Sequence, residues 1–340
     1  MKNELSDTKK AYPDIDVFRI VAAILVVAIH TSPLTSYNGY ADFLLTRVVG
    51  RVAVPFFFMV TGFFLYDEVI IQRNKLNAFL KKTSLYYMGA ILLYLPINWY
   101  SGYFNSEKLG SKIIRDVLLD GTMYHLWYLP AAVIGSIIAY YALKYLSLQG
   151  AFALTFVLYL LGMLGDSYYG LTKSIPALNG LYNNLFQVMD YTRNGIFFAP
   201  VFFVLGAMSK KRRCEFKKSL IFTVVCLLLM ALEGTILKSN NLMRHDSMYL
   251  LLVPLMYFLF SMLLQRRGTQ KRGFRDISLI IYIIHPLIII LIRGASKIAG
   301  IERWTVYNSL LHFLLTAIFS FLAGLVITNV LQKLRLKSST

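Results

Sequence analysis

Arg19 and His30 are the first residues along the chain whose types and spacing could do chemistry. Both sit in one apolar run, DIDVFRIVAAILVVAIHTSP at 14–33. A neutral imidazole can take the proton from a hydroxyl as its oxygen attacks an acyl carbon. A guanidinium can hold a phosphate or a developing anion through forked hydrogen bonds. At about 100° per residue, the eleven steps from Arg19 to His30 complete about three helical turns, so both side chains fall on one stripe, roughly 16 Å apart along the axis. Ionisable groups inside a membrane helix are costly and usually face a cavity or a partner. The plainer alternative is that Arg19 snorkels to the inner headgroups and His30 closes the outer end of the helix.

Further candidates follow along the chain. Arg47 and Arg51 are four apart and share a helix face; they either snorkel outward or form an anion-binding pair near His30. His125 lies in YHLWYLPA, 124–131, where it belongs either to an interfacial aromatic belt or to an acceptor site. Glu233 interrupts the apolar run 220–237 and needs a partner or a proton; pairing with an outer arginine is the simplest answer. His285 stands in ISLIIYIIHPLIIILI, 277–292, one turn after Tyr282. Pro286 frees a backbone carbonyl there and invites a kink. From the residues alone, His285 is a hydrogen-bonded packing residue or a substrate contact.

These residues must be carried by membrane helices. Hydrophobic residues make up 57% of the 340 and charged residues only 15%, more apolar surface than a soluble chain of this length could hide. The expected fold is an all-α integral membrane bundle of about ten spans, at 15–33, 43–65, 84–99, 126–146, 151–164, 195–208, 220–237, 249–264, 277–292 and 308–331, forming a single domain over 1–340. A surface-lying amphipathic helix is expected at 109–119. The formal charge of +18 would suggest nucleic acid in a soluble protein. Here it concentrates in short basic segments, Arg73 to Lys82, KKRRCEFKK from Lys210, QRRGTQKRGFR from Gln265, and the tail. With Lys2, Lys9 and Lys10 they place alternate loops and both termini in the cytoplasm. Cys214 and Cys226 give no disulfide or metal pattern. No phosphate-cradling glycine loop, dinucleotide turn, metal motif or internal repeat is visible, and the first apolar run reads as a retained span rather than a cleaved signal.

Several of these stretches carry a resemblance. Asp16, Arg19, Ala22-Ala23, Val26-Val27 and His30 resemble the first helix of the acyltransferase-3 family of membrane O-acyltransferases. PFFFMVTGFFL, 55–65, resembles its aromatic stretch, with Thr61 where the family has serine. His125-Leu-Trp-Tyr-Leu and Tyr282-x-x-His285-Pro resemble later signatures, so the likeness covers nearly the whole chain. It implies an acyl-CoA donor from the cytosol, an acceptor reached from the outer side, His30 as base and Arg19 positioning the donor. On the expected topology His30, Arg47, Arg51, His125 and Glu233 fall near one membrane depth, and several of them are expected to line one water-accessible cavity; Arg47, Arg51, His125 and Glu233, with Tyr282 and His285, are the substrate-binding candidates. No covalent cofactor or metal is implied. Within the family the wording is most similar to the membrane region of VanT-type serine racemases of vancomycin-resistant bacteria. That likeness implies a bacterial plasma membrane, a cytoplasmic racemase domain as partner, and a role in L-serine uptake or supply as the alternative to acyl transfer. No racemase domain follows the tenth span, so neither racemisation nor pyridoxal phosphate is expected of this chain.

Overall fold

The computed structural model describes residues 11–66, 73–211, 213–269 and 273–337. Lys2, Lys9 and Lys10 lie outside them. Among the described residues the chain is all helical, and its one β-type feature is an isolated bridge between Ala11 and Gly268.

α1 (Pro13–Thr31) starts on a proline, whose missing N–H is no loss in a first turn. Asp14 and Asp16 sit at its positive end and His30 in its last turn, the favourable arrangement for a helix dipole. It ends at Ser32, which takes a left-handed φ of 48°. α2 (Gly39–Phe43), capped by the Asn38 side chain, runs on through a π turn (Leu44–Val48) and a 3-10 turn (Val49–Val52) into α3 (Ala53–Leu65). α4 (Arg73–Tyr100), α5 (Leu109–Arg115), α6 (Tyr128–Tyr145) and α7 (Leu148–Leu164) follow. Then come the short α8 (Tyr169–Lys173), α9 (Pro176–Val188), α10 (Ala199–Met208), α11 (Phe216–Ser239), α12 (Leu252–Leu263), α13 (Phe274–Ala299), α14 (Glu302–Thr305) and α15 (Ser309–Lys337).

Four stretches among the described residues are long and apolar enough to cross a membrane: Gly39–Leu65, Phe216–Ser239, Phe274–Ala299 and Ser309–Leu334. Leu148–Leu164, Ala199–Met208 and Leu252–Leu263 are shorter apolar helices. α11 leaves Leu220, Ile221, Phe222, Val224, Leu228 and Leu232 exposed. So continuous an apolar face is stable against lipid rather than water. The chain is a membrane helical bundle.

α10 is the centre of the bundle. It packs against α3, α6 and α7, while α1 packs on α13 and α3, and α13 on α15. Phe58 and Phe203 are fully buried and 5.3 Å apart where α3 meets α10. The two backbones can touch because glycines face each other: a Cβ on Gly62 would collide with the Phe203 carbonyl, and one on Gly206 with the Met59 carbonyl. Small residues do the same work at other membrane helix crossings.

Helix boundaries depart from the apolar runs in an ordered way. α4 is already helical at Arg73, well before the apolar stretch, because lysine stems extend a helix into the headgroup zone without burying charge. α10 begins only at Ala199, since Asn194 accepts from the Ile196 and Phe197 amides and holds the preceding residues in a loop. α5 and the π turn after it (Asp116–Asp120) occupy the amphipathic 109–119 stretch.

Candidate functional site

Three imidazoles meet in the bundle. The His30 and His285 rings stack with centroids 5.2 Å apart, and His125 lies edge-on to His285 at 5.3 Å. Tyr124 is 4.8 Å from His30, and Tyr94 is 5.1 Å from His125. Local sequence explains each position. Pro286 has no N–H, so the carbonyl one turn earlier, that of Tyr282, lacks its helical donor. His285 Nδ1 takes up that carbonyl at 2.9 Å, with Ile281 O at 3.1 Å. Both partners are acceptors, so Nδ1 carries the proton and Nε2 presents a lone pair, without a partner among the described residues. His125 is fixed through its backbone: Tyr282 Oη donates to its carbonyl at 2.6 Å, and Asn98 Nδ2 donates to Thr122 O at 3.1 Å. Gly121, at φ 82°, turns the chain into this loop. His125 and His285 are fully buried, whereas His30 is only half-buried. Of the three, His30 is the one a substrate can touch.

Next to this cluster lies a cavity of about 680 Å³ between α1, α3, α4, α6 and α13. It sits at the end of the bundle that carries the basic segments. Arg19, Lys75, Lys82 and Arg275 contribute positive charge to its wall, Asp16 is the acidic member, and Phe57, Val60, Phe64 and Phe79 supply apolar surface. Arg19 pairs with Asp16 at 3.6 Å, yet its Nε is buried without a hydrogen bond. Tyr128 and Tyr282 also line the cavity and contact each other at 5.3 Å. Tyr282 is also 5.6 Å from the His125 ring. These two tyrosines are therefore the partition between the cavity and the histidines.

Arg47 and Arg51 go elsewhere. Both face Asp246, Arg47 Nε at 3.7 Å and Arg51 Nη2 in a direct hydrogen bond. The π and 3-10 turns over 44–52 position them, a local departure from α geometry of the kind that recurs at functional positions. Glu233 is separate again, and not paired with an arginine as expected. It accepts from Tyr168 Oη at 2.8 Å and from the Leu250 and Leu251 amides at 2.6 and 3.0 Å. It thus satisfies free N–H groups at the start of α12, where the helix dipole favours a carboxylate. His30, His125, Tyr282 and His285 are brought together, Arg19 reaches the adjoining cavity, and Arg47, Arg51 and Glu233 serve two other clusters.

Some polar residues in play were not singled out from sequence. Asp246 sits in a polar connection with no periodicity to mark it. Asp116, Asp120 and Asp190 converge with carboxylate oxygens within 4.8 Å of one another, around Arg115. Burial first, and the neighbouring Asp190 charge, push the Asp120 carboxyl up to about 6, against the pull of Arg115 and the Asp190 amide.

A bundle of apolar helices enclosing buried imidazoles beside a cationic cavity defines a membrane protein with a polar interior site. Comparison with known families gives the particular class. Residues 12–329 match the model of the acyltransferase-3 family, described as an acyltransferase domain, so the chain belongs to that family. It is 44% identical over 337 residues to an amino-acid racemase of Enterococcus faecalis, covering 97% of this chain and 47% of that protein. It is 35% identical over 312 residues to a serine/alanine racemase of Enterococcus gallinarum, covering 89% of this chain and 44% of the relative. The chain thus spans about half the length of the curated relatives it matches. No solved structure matches it.

Proposed function

We propose that this chain is an acyltransferase-3 membrane domain of the kind carried by VanT-type serine racemases, with His30 as general base and a coenzyme A thioester as donor. The observation that carries this reading is the cationic cavity at the basic end, divided by Tyr128 and Tyr282 from the imidazole cluster. The basic end faces the cytoplasm in this reading, as short basic loops do, and the chain crosses the membrane about ten times. Arg19, with Lys82 and Arg275, holds the donor's phosphates by charge-assisted hydrogen bonds, and the thioester reaches past Tyr128 and Tyr282 to the imidazoles. The acceptor comes to half-buried His30 from the other side. His30 takes the acceptor's hydroxyl proton as the oxygen attacks the thioester carbon. The new C–O bond forms, the C–S bond breaks, and the departing thiolate takes a proton, which leaves the imidazole neutral again. His285 and His125 pack around the His30 ring and hold its orientation.

A second reading makes this domain an L-serine supply module for a cytoplasmic racemase domain. It is favoured by the relatives' being amino-acid racemases and by their extra length. Binding of acetyl-CoA to the protein in nanodiscs tests the first reading. Thr61→Trp, which fills the cavity wall, abolishes binding if the donor sits there. Undiminished binding in that variant and in Arg19→Ala overturns the donor assignment.

A further inference from the structure

Where α4, α13 and α15 meet, the cavity has a thin outer wall. Tyr86 of α4 and Leu279 of α13 line the cavity, and the same two side chains line a second, smaller hollow of about 60 Å³. Ile280 and Ile283 of α13 and Leu331 of α15 supply the rest of its apolar surface. Leu331 is exposed, as are Ile327 and Leu334 one turn to either side of it and Leu85 next to Tyr86. The hollow therefore opens toward the bilayer. Beyond it, Tyr94 Oη joins α4 to α13 by donating to the Ile283 carbonyl at 2.7 Å. Thr328 lines the hollow too, with a buried hydroxyl that has no partner among the described residues.

The mouth of the hollow is basic. Lys82, one turn before Tyr86, holds its ammonium 5.6 Å from the centre of the Tyr86 ring. Arg275 stands one turn before Leu279 on α13. Both are exposed, and among the described residues neither has a carboxylate within ion-pair distance. Lys81 on α4 and Lys333 on α15 are exposed nearby. Asp276 is the acid on this side, and it lies in the first turn of α13, where the helix dipole offsets its charge. Asp16, inside the large cavity, is paired with Arg19. Lys81, Lys82, Arg275 and Lys333 against Asp276 leave the mouth positive.

A hollow that is apolar in its depth, cationic at its mouth and open to the bilayer complements an anionic head with a hydrocarbon chain attached. Moving a lipid chain into an apolar seam gains little, because lipid tails are as apolar as leucine. Selection comes from the head, where basic side chains at the membrane surface favour anionic lipids. We propose that an anionic phospholipid seats at this seam, its phosphate on Lys82 and Arg275 and one chain along Leu279, Ile283 and Leu331. Thr328 Oγ1 offers a donor to an ester carbonyl below the phosphate. The chain packs on the outer face of Tyr86 and Leu279 and closes the cavity wall against the bilayer. The site goes beyond the donor reading and stands whether or not a thioester binds.

The test is tryptophan quenching by brominated lipids in vesicles that mix phosphatidylglycerol and phosphatidylcholine, with either lipid carrying the bromine. Leu331→Trp is the reporter at the seam. Leu228→Trp, on the exposed face of α11, reports the ordinary surrounding lipid, and the signal of the parent's own tryptophans is subtracted. Leu228, Leu331, Lys82 and Arg275 are all exposed, so substitutions there leave the packing in place. At position 331 phosphatidylglycerol is preferred about fivefold or more, the effect expected of one basic side chain at the surface. At position 228 neither lipid is preferred. Lys82→Gln combined with Arg275→Gln brings the preference at 331 down to that at 228. Equal preferences at the two reporters overturn the inference, and so does a preference at 331 that survives the loss of both cations. Neither result depends on acetyl-CoA, which the donor reading alone requires.

Discussion

The two ends of the bundle handle charge in opposite ways. At the basic end, Arg19, Lys82 and Arg275 line open volume, and the Arg19–Asp16 pair at 3.6 Å is loose. At the other end, charges are tied across the chain: Arg47 and Arg51 to Asp246, Glu233 to the start of α12, and Asp166 to two amides. Charges lining a cavity are kept for something that enters it. Charges spent on backbone and on each other hold long loops over a membrane bundle. The imidazoles lie between the two ends, behind the tyrosine partition.

The sharpest way to break this contrast is at its midpoint. His30→Ala is expected to lower thioester turnover about 10²–10⁴-fold, the usual contribution of a general base, with acetyl-CoA affinity unchanged; stopped-flow turnover alongside equilibrium binding checks it. Next in size is the scaffold both ends share. Gly62→Leu drives a side chain into the Phe203 carbonyl and is expected to cost about 3 kcal/mol or more, seen as loss of the monodisperse species in detergent. Asp246→Ala strands the buried Arg51 guanidinium and should cost about 2–3 kcal/mol, seen as a lowered thermal midpoint, whereas Asp246→Asn, which keeps a hydrogen-bond acceptor, costs less.

At the cavity, Lys82→Gln should weaken acetyl-CoA by no more than about fivefold, because an exposed lysine contributes about 1 kcal/mol or less. That loss should shrink further in high salt. The smallest effect is the pH response of the Asp116–Asp120–Asp190 group. Asp120 in the fold holds its proton more tightly than in the unfolded chain. Stability is therefore expected to rise as pH falls from about 7 toward 4, and Asp120→Asn should flatten that rise. Thermal unfolding across that range is the measurement.

Much of the helical framework was legible because apolar runs of membrane length leave few alternatives, and the Arg19–His30 stripe followed from helical periodicity alone. That His30 and His125 would share one site followed from their expected membrane depth; the ring-to-ring meeting of both with His285 did not. It depends on how three helix ends cross, which no local spacing encodes. Pro286 gave a partial clue, since the carbonyl it releases is the one His285 occupies. Glu233 was misread because backbone N–H groups at the start of a helix satisfy a carboxylate as well as an arginine does, and sequence does not advertise them. Asp246 was passed over for a related reason: it lies in a connection where polar residues are expected, and only burial separates a structural charge from a solvated one.

The most direct test of the account is the purified protein in liposomes, assayed in parallel for acetyl-CoA thioester cleavage and for uptake of labelled L-serine, as the parent chain, as His30→Ala and as Arg19→Ala. The account predicts thioester cleavage in the parent that is lost in both variants. Arg19→Ala should fail through weakened donor binding, and His30→Ala with binding intact. Serine uptake that proceeds without any acyl-CoA and is indifferent to His30→Ala would contradict it.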